Sequence, residues 1–95
     1  MSYYRYKVLY KKVAEKFLLT NKMEGLKFYK AFQELTEDNE NVRKYDIKKY
    51  RCSNDYTYRL RIGSYRAVFE VHQDKIVIIV IYIGSRGDVY KKIKR

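Results

Sequence analysis

The chain has 95 residues, 46% of them hydrophobic and 17% aromatic, with no proline and a formal net charge of +11. Those proportions exclude a disordered tail and predict one domain, residues 1–95, built around one core. The longest apolar run, Ile76 to Ile83, falls far short of the roughly 20 residues a spanning helix needs.

Met1-Ser2-Tyr3-Tyr4-Arg5 lacks the apolar stretch of a secretory signal, and the lone Cys52 has no partner for an internal disulfide. The expectation is a cytoplasmic protein, with Cys52 structural or incidental. The positive charge is uneven: residues 1–40 carry eight Lys/Arg against six Asp/Glu, residues 41–95 fourteen against five. Such asymmetry points to a polyanionic partner, nucleic acid before an acidic protein.

Tyr4 to Leu9 alternates and predicts a first strand. Lys11 to Thr20 predicts a helix, with Val13 and Phe17 on one face. Asn21-Lys22-Met23 breaks the pattern, and Glu24 to Thr36 predicts a second helix with a core stripe of Phe28, Phe32 and Leu35. Thr36 to Asn41, TEDNEN, reads as an acidic exit loop.

From Asp46 the period becomes two. Asp46–Tyr50 and Tyr56–Ile62 predict strands, Gly63-Ser64 a two-residue type II′ turn, and Tyr65–His72 the returning strand. Gln73-Asp74 turns again. Lys75–Tyr82 is a β-branched run expected of a central strand covered on both faces. Gly84 to Gly87 is expected to leave the sheet, and Asp88 to cap a short last helix through Ile93. The fold class that follows is α+β, in the order β-α-α-β-β-β-β-α. A mostly antiparallel sheet of four to five strands carries the helical hairpin on one face.

A two-residue turn fixes the pairing by counting: Ile62 with Tyr65, Arg61 with Arg66, Leu60 with Ala67, Arg59 with Val68. Arg59, Arg61, Arg66 and Glu70 then share one face. Like charges directly opposite are destabilising, and one carboxylate offsets one arginine. Arginine stems can also cover apolar surface with their heads in water. A phosphate explains the crowding better, because guanidinium groups grip its oxygens in a bidentate fork. Arg86, beyond the long strand, adds a fourth arginine, and Tyr90 lies one helical turn further on.

YTYRLRIGSYRAVFEV, a buried strand and then IGSRGDVY together resemble the RelE toxins of the RelE/ParE toxin–antitoxin superfamily. The resemblance covers Tyr56 to Tyr90, with YDIKKY, Tyr45 to Tyr50, as the family's short preceding strand. It implies a metal-independent, cofactor-free endoribonuclease that cuts mRNA in the ribosomal A site through attack of the 2′-hydroxyl on phosphate.

By the same resemblance the catalytic positions are Arg59, Arg66, Arg86 and Tyr90. Arg66 and Arg86 stabilise the phosphorane or protonate the leaving oxygen, Arg59 holds phosphate, and Tyr90 is the base or aligns the 2′-hydroxyl. Arg61, Lys48, Lys49, Arg51, Lys91 and Lys92 are expected to bind RNA or ribosome. The implied partner is a small RelB-like antitoxin that covers the groove. Thr57 departs from the pattern by standing where the best-known type has a lysine, and the Arg86–Tyr90 spacing is shorter. Two alternatives are a ParE-like inhibitor of DNA gyrase and an inactive RNA-binding member of the fold. His72 reads as an exposed strand-end residue or a catalytic acid or base. Glu70 reads as the salt-bridge partner of an arginine or a base.

Overall fold

A computed structural model describes residues 6–50 and 54–85. The described elements are β1 (Lys7–Tyr10), α1 (Lys12–Thr20), α2 (Lys22–Glu37), a 3₁₀ helix (Asn39–Lys44), β2 (Asp46–Lys49), β3 (Thr57–Ile62), β4 (Tyr65–His72) and β5 (Val77–Ser85). The strands form one five-stranded sheet in the order β1-β5-β4-β3-β2. Its β2–β3, β3–β4 and β4–β5 pairs are antiparallel, while β1 runs parallel to β5. A β-α-α-β order and a mostly antiparallel sheet are as the sequence predicts. The predicted last helix, Asp88 to Ile93, lies outside the described residues.

Local chemistry accounts for the helical hairpin. Ala14 and Phe17 are buried, so the inward stripe of α1 runs through Ala14 rather than Val13, which is half exposed. Asn21 alone separates the two helices. Its backbone N–H donates to Phe17 O at 2.9 Å and so ends α1. Its own carbonyl accepts from Gly25 N at 2.6 Å and so opens α2. The second helix therefore starts at Lys22, two residues before the sequence pattern places it. Gly25 permits the tight hairpin: a Cβ there would stand 2.9 Å from the Leu18 backbone. Beyond Glu37 the acidic segment is a 3₁₀ helix rather than an open loop. The Asp38 side chain accepts from Glu40 N at 2.9 Å at its start.

The helices lie on one sheet face. Ala14, Phe17, Phe28, Ala31 and Phe32 pack on Leu60, Ala67, Phe69, Ile78, Val80 and Ile83. Edge-to-face rings organise the contact: Phe32 meets Phe69 at 5.2 Å and Phe17 meets Tyr65 at 5.3 Å between centroids. Core positions alternate along β3 and β4, which sends Arg59, Arg61 and Arg66 to the opposite face.

The β3–β4 register agrees with the counting at every pair from Ile62↔Tyr65 to Arg59↔Val68. Gly63 has φ +60°, the left-handed value a type II′ turn requires at its first central position. The last strand differs from expectation at both ends. It starts at Val77, because Lys75 and Ile76 still belong to the turn, where Ile76 takes φ +53°. It continues through Gly84 and Ser85, which pair with Arg66 and Tyr65 and use the full length of β4. Ile79 and Ile81 are only partly covered, so the face turned away from the helices is open over this strand.

Candidate nucleic-acid interface

The open face is laid out in rows by the register. One row reads Asp46, Arg61, Arg66, Gly84 across β2, β3, β4 and β5. The next reads Lys48, Arg59, Val68, Tyr82. A third carries Thr57, Glu70 and Ile79. Three arginines and a lysine thus occupy two adjacent rows, about 5 Å apart between neighbouring strands.

Their environments differ. Arg61 is exposed, whereas Arg66 is only 9% exposed and sits low on the sheet. Arg59 is also largely covered, its side chain 13% exposed, and its Nη2 lies 3.7 Å from Asp46 Oδ1. Its Nη1 is buried and has no hydrogen-bond acceptor among the described residues. A buried guanidinium nitrogen without an acceptor is costly, and an anion arriving from solvent would satisfy it. Between the charges lies a small apolar floor of Val68 and Tyr82, flanked by Tyr50 and Ile81.

The structure therefore brings together Arg59, Arg61, Arg66 and Lys48. It does not bring Lys49 to them. Alternation turns Lys49 to the other face, opposite Tyr58, and its Nζ lies 3.5 Å from Asp55. Arg51, Arg86, Tyr90, Lys91 and Lys92 lie outside the described residues. Thr57 is 2% exposed, and its hydroxyl donates to Asn54 Oδ1 at 2.6 Å.

Glu70 departs from the expectation of an arginine partner. Its Oε1 lies 2.8 Å from His72 Nε2, two residues along the same strand face. That pair also corrects the exposed reading of His72, whose side chain is 22% exposed and whose ring sits 4.8 Å from that of Tyr56. His72 lies two rungs from Arg66's neighbour Val68, at the sheet end bordering a separate groove of about 770 Å³. This groove, lined by Tyr6, Leu35, Ile47, Tyr58 and Phe69 among others, is on the helix side.

Asp46 and Tyr82 belong to the arginine face and are missing from the sequence assignment. Asp46 starts a short edge strand whose register no turn fixes. Tyr82 sits in an aliphatic run that reads as core. A signal for it exists, since a phenol in such a run needs a place for its oxygen.

The family model described as ParE toxin of the type II toxin–antitoxin system, parDE, matches residues 6–90. The chain belongs to this family. It is a toxin of the RelE/ParE superfamily of type II toxin–antitoxin systems. Solved RelE structures share its fold. In the RelB–RelE antitoxin–toxin complex of Methanococcus jannaschii, the similar chain is 29% identical. The match covers 90% of this chain and 99% of that one, with a TM-score of 0.69. In the archaeal RelE–RelB complex of Pyrococcus horikoshii the figures are 26%, 87% and 97%, with a TM-score of 0.70. RelE in the intact Escherichia coli RelBE complex is 23% identical, covering 84% and 95%, with a TM-score of 0.67, a likeness of fold. Comparison with curated protein sequences returned no match.

Proposed function

We propose that this RelE/ParE-family toxin is a metal-independent endoribonuclease that cuts mRNA in the ribosomal A site. The observation that carries the reading is the pair of rows holding Arg59, Arg61, Arg66 and Lys48 on one open face. No fold requirement places Arg61 directly opposite Arg66, and a phosphodiester relieves their repulsion.

In the proposed reaction the 2′-oxygen of the message attacks the adjacent phosphorus. The 2′-proton passes to a base, the P–O5′ bond breaks, and the 5′-oxygen takes a proton. A 2′,3′-cyclic phosphate and a 5′-hydroxyl remain. Arg66, buried and fixed, stabilises the charge gathering on the non-bridging oxygens, together with Arg86. Arg59 holds phosphate through its guanidinium, whose Nη1 has no acceptor among the described residues. Tyr90 is the base or aligns the 2′-hydroxyl. Arg61 and Lys48 bind the RNA strand electrostatically. The same face would be covered by a small RelB-like antitoxin, the kind of partner present in the RelB–RelE complexes of similar fold.

The test is cleavage of an mRNA programmed into ribosomes with an empty A site. Wild type is expected to cut and leave a cyclic-phosphate end, and Arg66→Ala and Arg86→Ala to lose at least about a hundredfold in rate. Absence of cutting by folded wild type overturns this reading. A second reading, inhibition of DNA gyrase, is favoured by the match to the ParE family model. A supercoiling assay distinguishes it.

A further inference from the structure

Strict alternation along β5 would send Tyr82 into the core and Ile83 to the arginine face. The structure does the reverse. Val80 and Ile83 are buried against the helices, while Ile81 and Tyr82, consecutive in sequence, both lie with Val68 on the arginine face. The cause is an irregularity in the β4–β5 register. Val68 faces Tyr82, Phe69 faces Val80, and Ile81 is the extra residue. A bulge of this kind re-aims a side chain, and bulges concentrate beside functional sites.

The re-aimed ring has a prepared seat. A Cβ on Gly84 would fall 2.8 Å from Tyr82 Cε2 and 3.0 Å from its hydroxyl oxygen. The ring thus lies forward along the strand over Gly84, and any larger residue there would displace it. Gly84 is the register partner of Arg66. The bulge and the glycine together carry a phenol oxygen from the Val68 row to the Arg66 row. The hydroxyl oxygen thus stands in the row of Arg66, a neutral donor beside a cationic one.

We propose that the Tyr82 hydroxyl is a phosphate-binding group, donating a hydrogen bond to an oxygen of the same phosphodiester that Arg66 grips. The ligand class rests on the reading of this face as an RNA site. A neutral donor on a stiff ring gives direction to a site otherwise made of charge.

Tyr82→Phe keeps the ring and removes the oxygen. The probe is a short single-stranded 2′-deoxy oligonucleotide, which cannot be cut through a 2′-hydroxyl, bound to the free toxin across a series of salt concentrations. Affinity is expected to fall about three- to tenfold. The slope of log K against log salt should be unchanged, because no charge is lost. Arg66→Ala should lower both affinity and slope, the slope by about one. Equal affinity of wild type and Tyr82→Phe overturns the proposal. So does a loss accompanied by a smaller slope, since the ring would then act by placing the arginines. Should Tyr82→Phe fail to fold, Gly84→Ala moves the hydroxyl instead, and the same two readings apply. A wild type that binds the oligonucleotide but never cuts ribosome-bound message sinks the nuclease reading and leaves this one standing. A wild type without affinity for the oligonucleotide sinks this one.

Discussion

Asp46 and Arg59 form an ion pair across the β2–β3 edge at 3.7 Å, and the arginine is the more buried partner. Asp46 stands in the adjacent row, so its carboxylate reaches diagonally along the sheet to neutralise the Arg59 guanidinium. In Asp46→Asn that neutralisation is lost. The expected result is a stability loss of up to about 1 kcal/mol. The salt slope of oligonucleotide binding should steepen by about one, because Arg59 then takes up a phosphate without first giving up a carboxylate. Thermal unfolding and anisotropy titrations read the two effects separately.

Arg61 faces Arg66 directly, and Arg61 is the exposed member. Replacing it by Gln removes a cross-strand repulsion worth about 0.2–1 kcal/mol. Arg61→Gln should therefore unfold at a higher temperature than wild type in low salt. The gain should shrink in 1 M salt, where the screening length is about 3 Å. Oligonucleotide affinity should fall in the same variant. A variant that lost both stability and affinity would contradict the repulsion argument.

The Tyr45 hydroxyl donates to Glu34 Oε1 at 2.5 Å and ties the end of the 3₁₀ helix to α2. Burial first, and then the Glu34 carboxylate, push the Tyr45 phenol up to about 12 from its ordinary 10.0. The folded state therefore favours the protonated phenol. Its contribution is complete below pH 10 and is lost as the pH rises through 12. Denaturant melts of wild type and Tyr45→Phe should differ most at pH 9 and converge towards pH 12.

Gly25 lies against the Leu18 backbone, where a Cβ would stand 2.9 Å from its Cα and its O. Both are main-chain atoms, so the helices must separate to admit a methyl group. Gly25→Ala is expected to cost about 1–3 kcal/mol despite alanine's better helix propensity, by the general cost of overpacking. Chemical denaturation with unchanged far-ultraviolet dichroism would show the loss to be one of packing.

How much of this was legible in the residues depends on how local the cause was. The β3–β4 register needed only the Gly63-Ser64 turn and counting, and so the three arginines on one face were accessible without a structure. The phenylalanine stripe of α2 was equally plain. What escaped was non-local. The partner of Glu70 depended on the end of β4, where His72 is nearer than any arginine the pattern suggested. The end of β5 depended on the length of β4, which lends Gly84 and Ser85 partners that their own propensities argue against. The orientation of Tyr82 depended on one unpaired residue, Ile81, and period-two reasoning fails at a bulge by construction. The place of β1 beside β5 rested on a parallel pairing for which no short motif exists.

That pairing sets the order of assembly. Lys7 finds its register partner at Val77, seventy positions later, with both helices and three strands intervening. Closing so large a loop is paid for only when the partner strand exists. Chains are made N-terminus first, at about 5–20 residues per second. A nascent toxin therefore holds an unpaired β1, and a β4 with one edge bare, for seconds. Gly84, the seat of Tyr82 and the partner of Arg66, is in β5, the last of the described strands. The arginines of β3 and β4 are synthesised before the strand that completes their face, so that face is finished only once β5 has been made and paired.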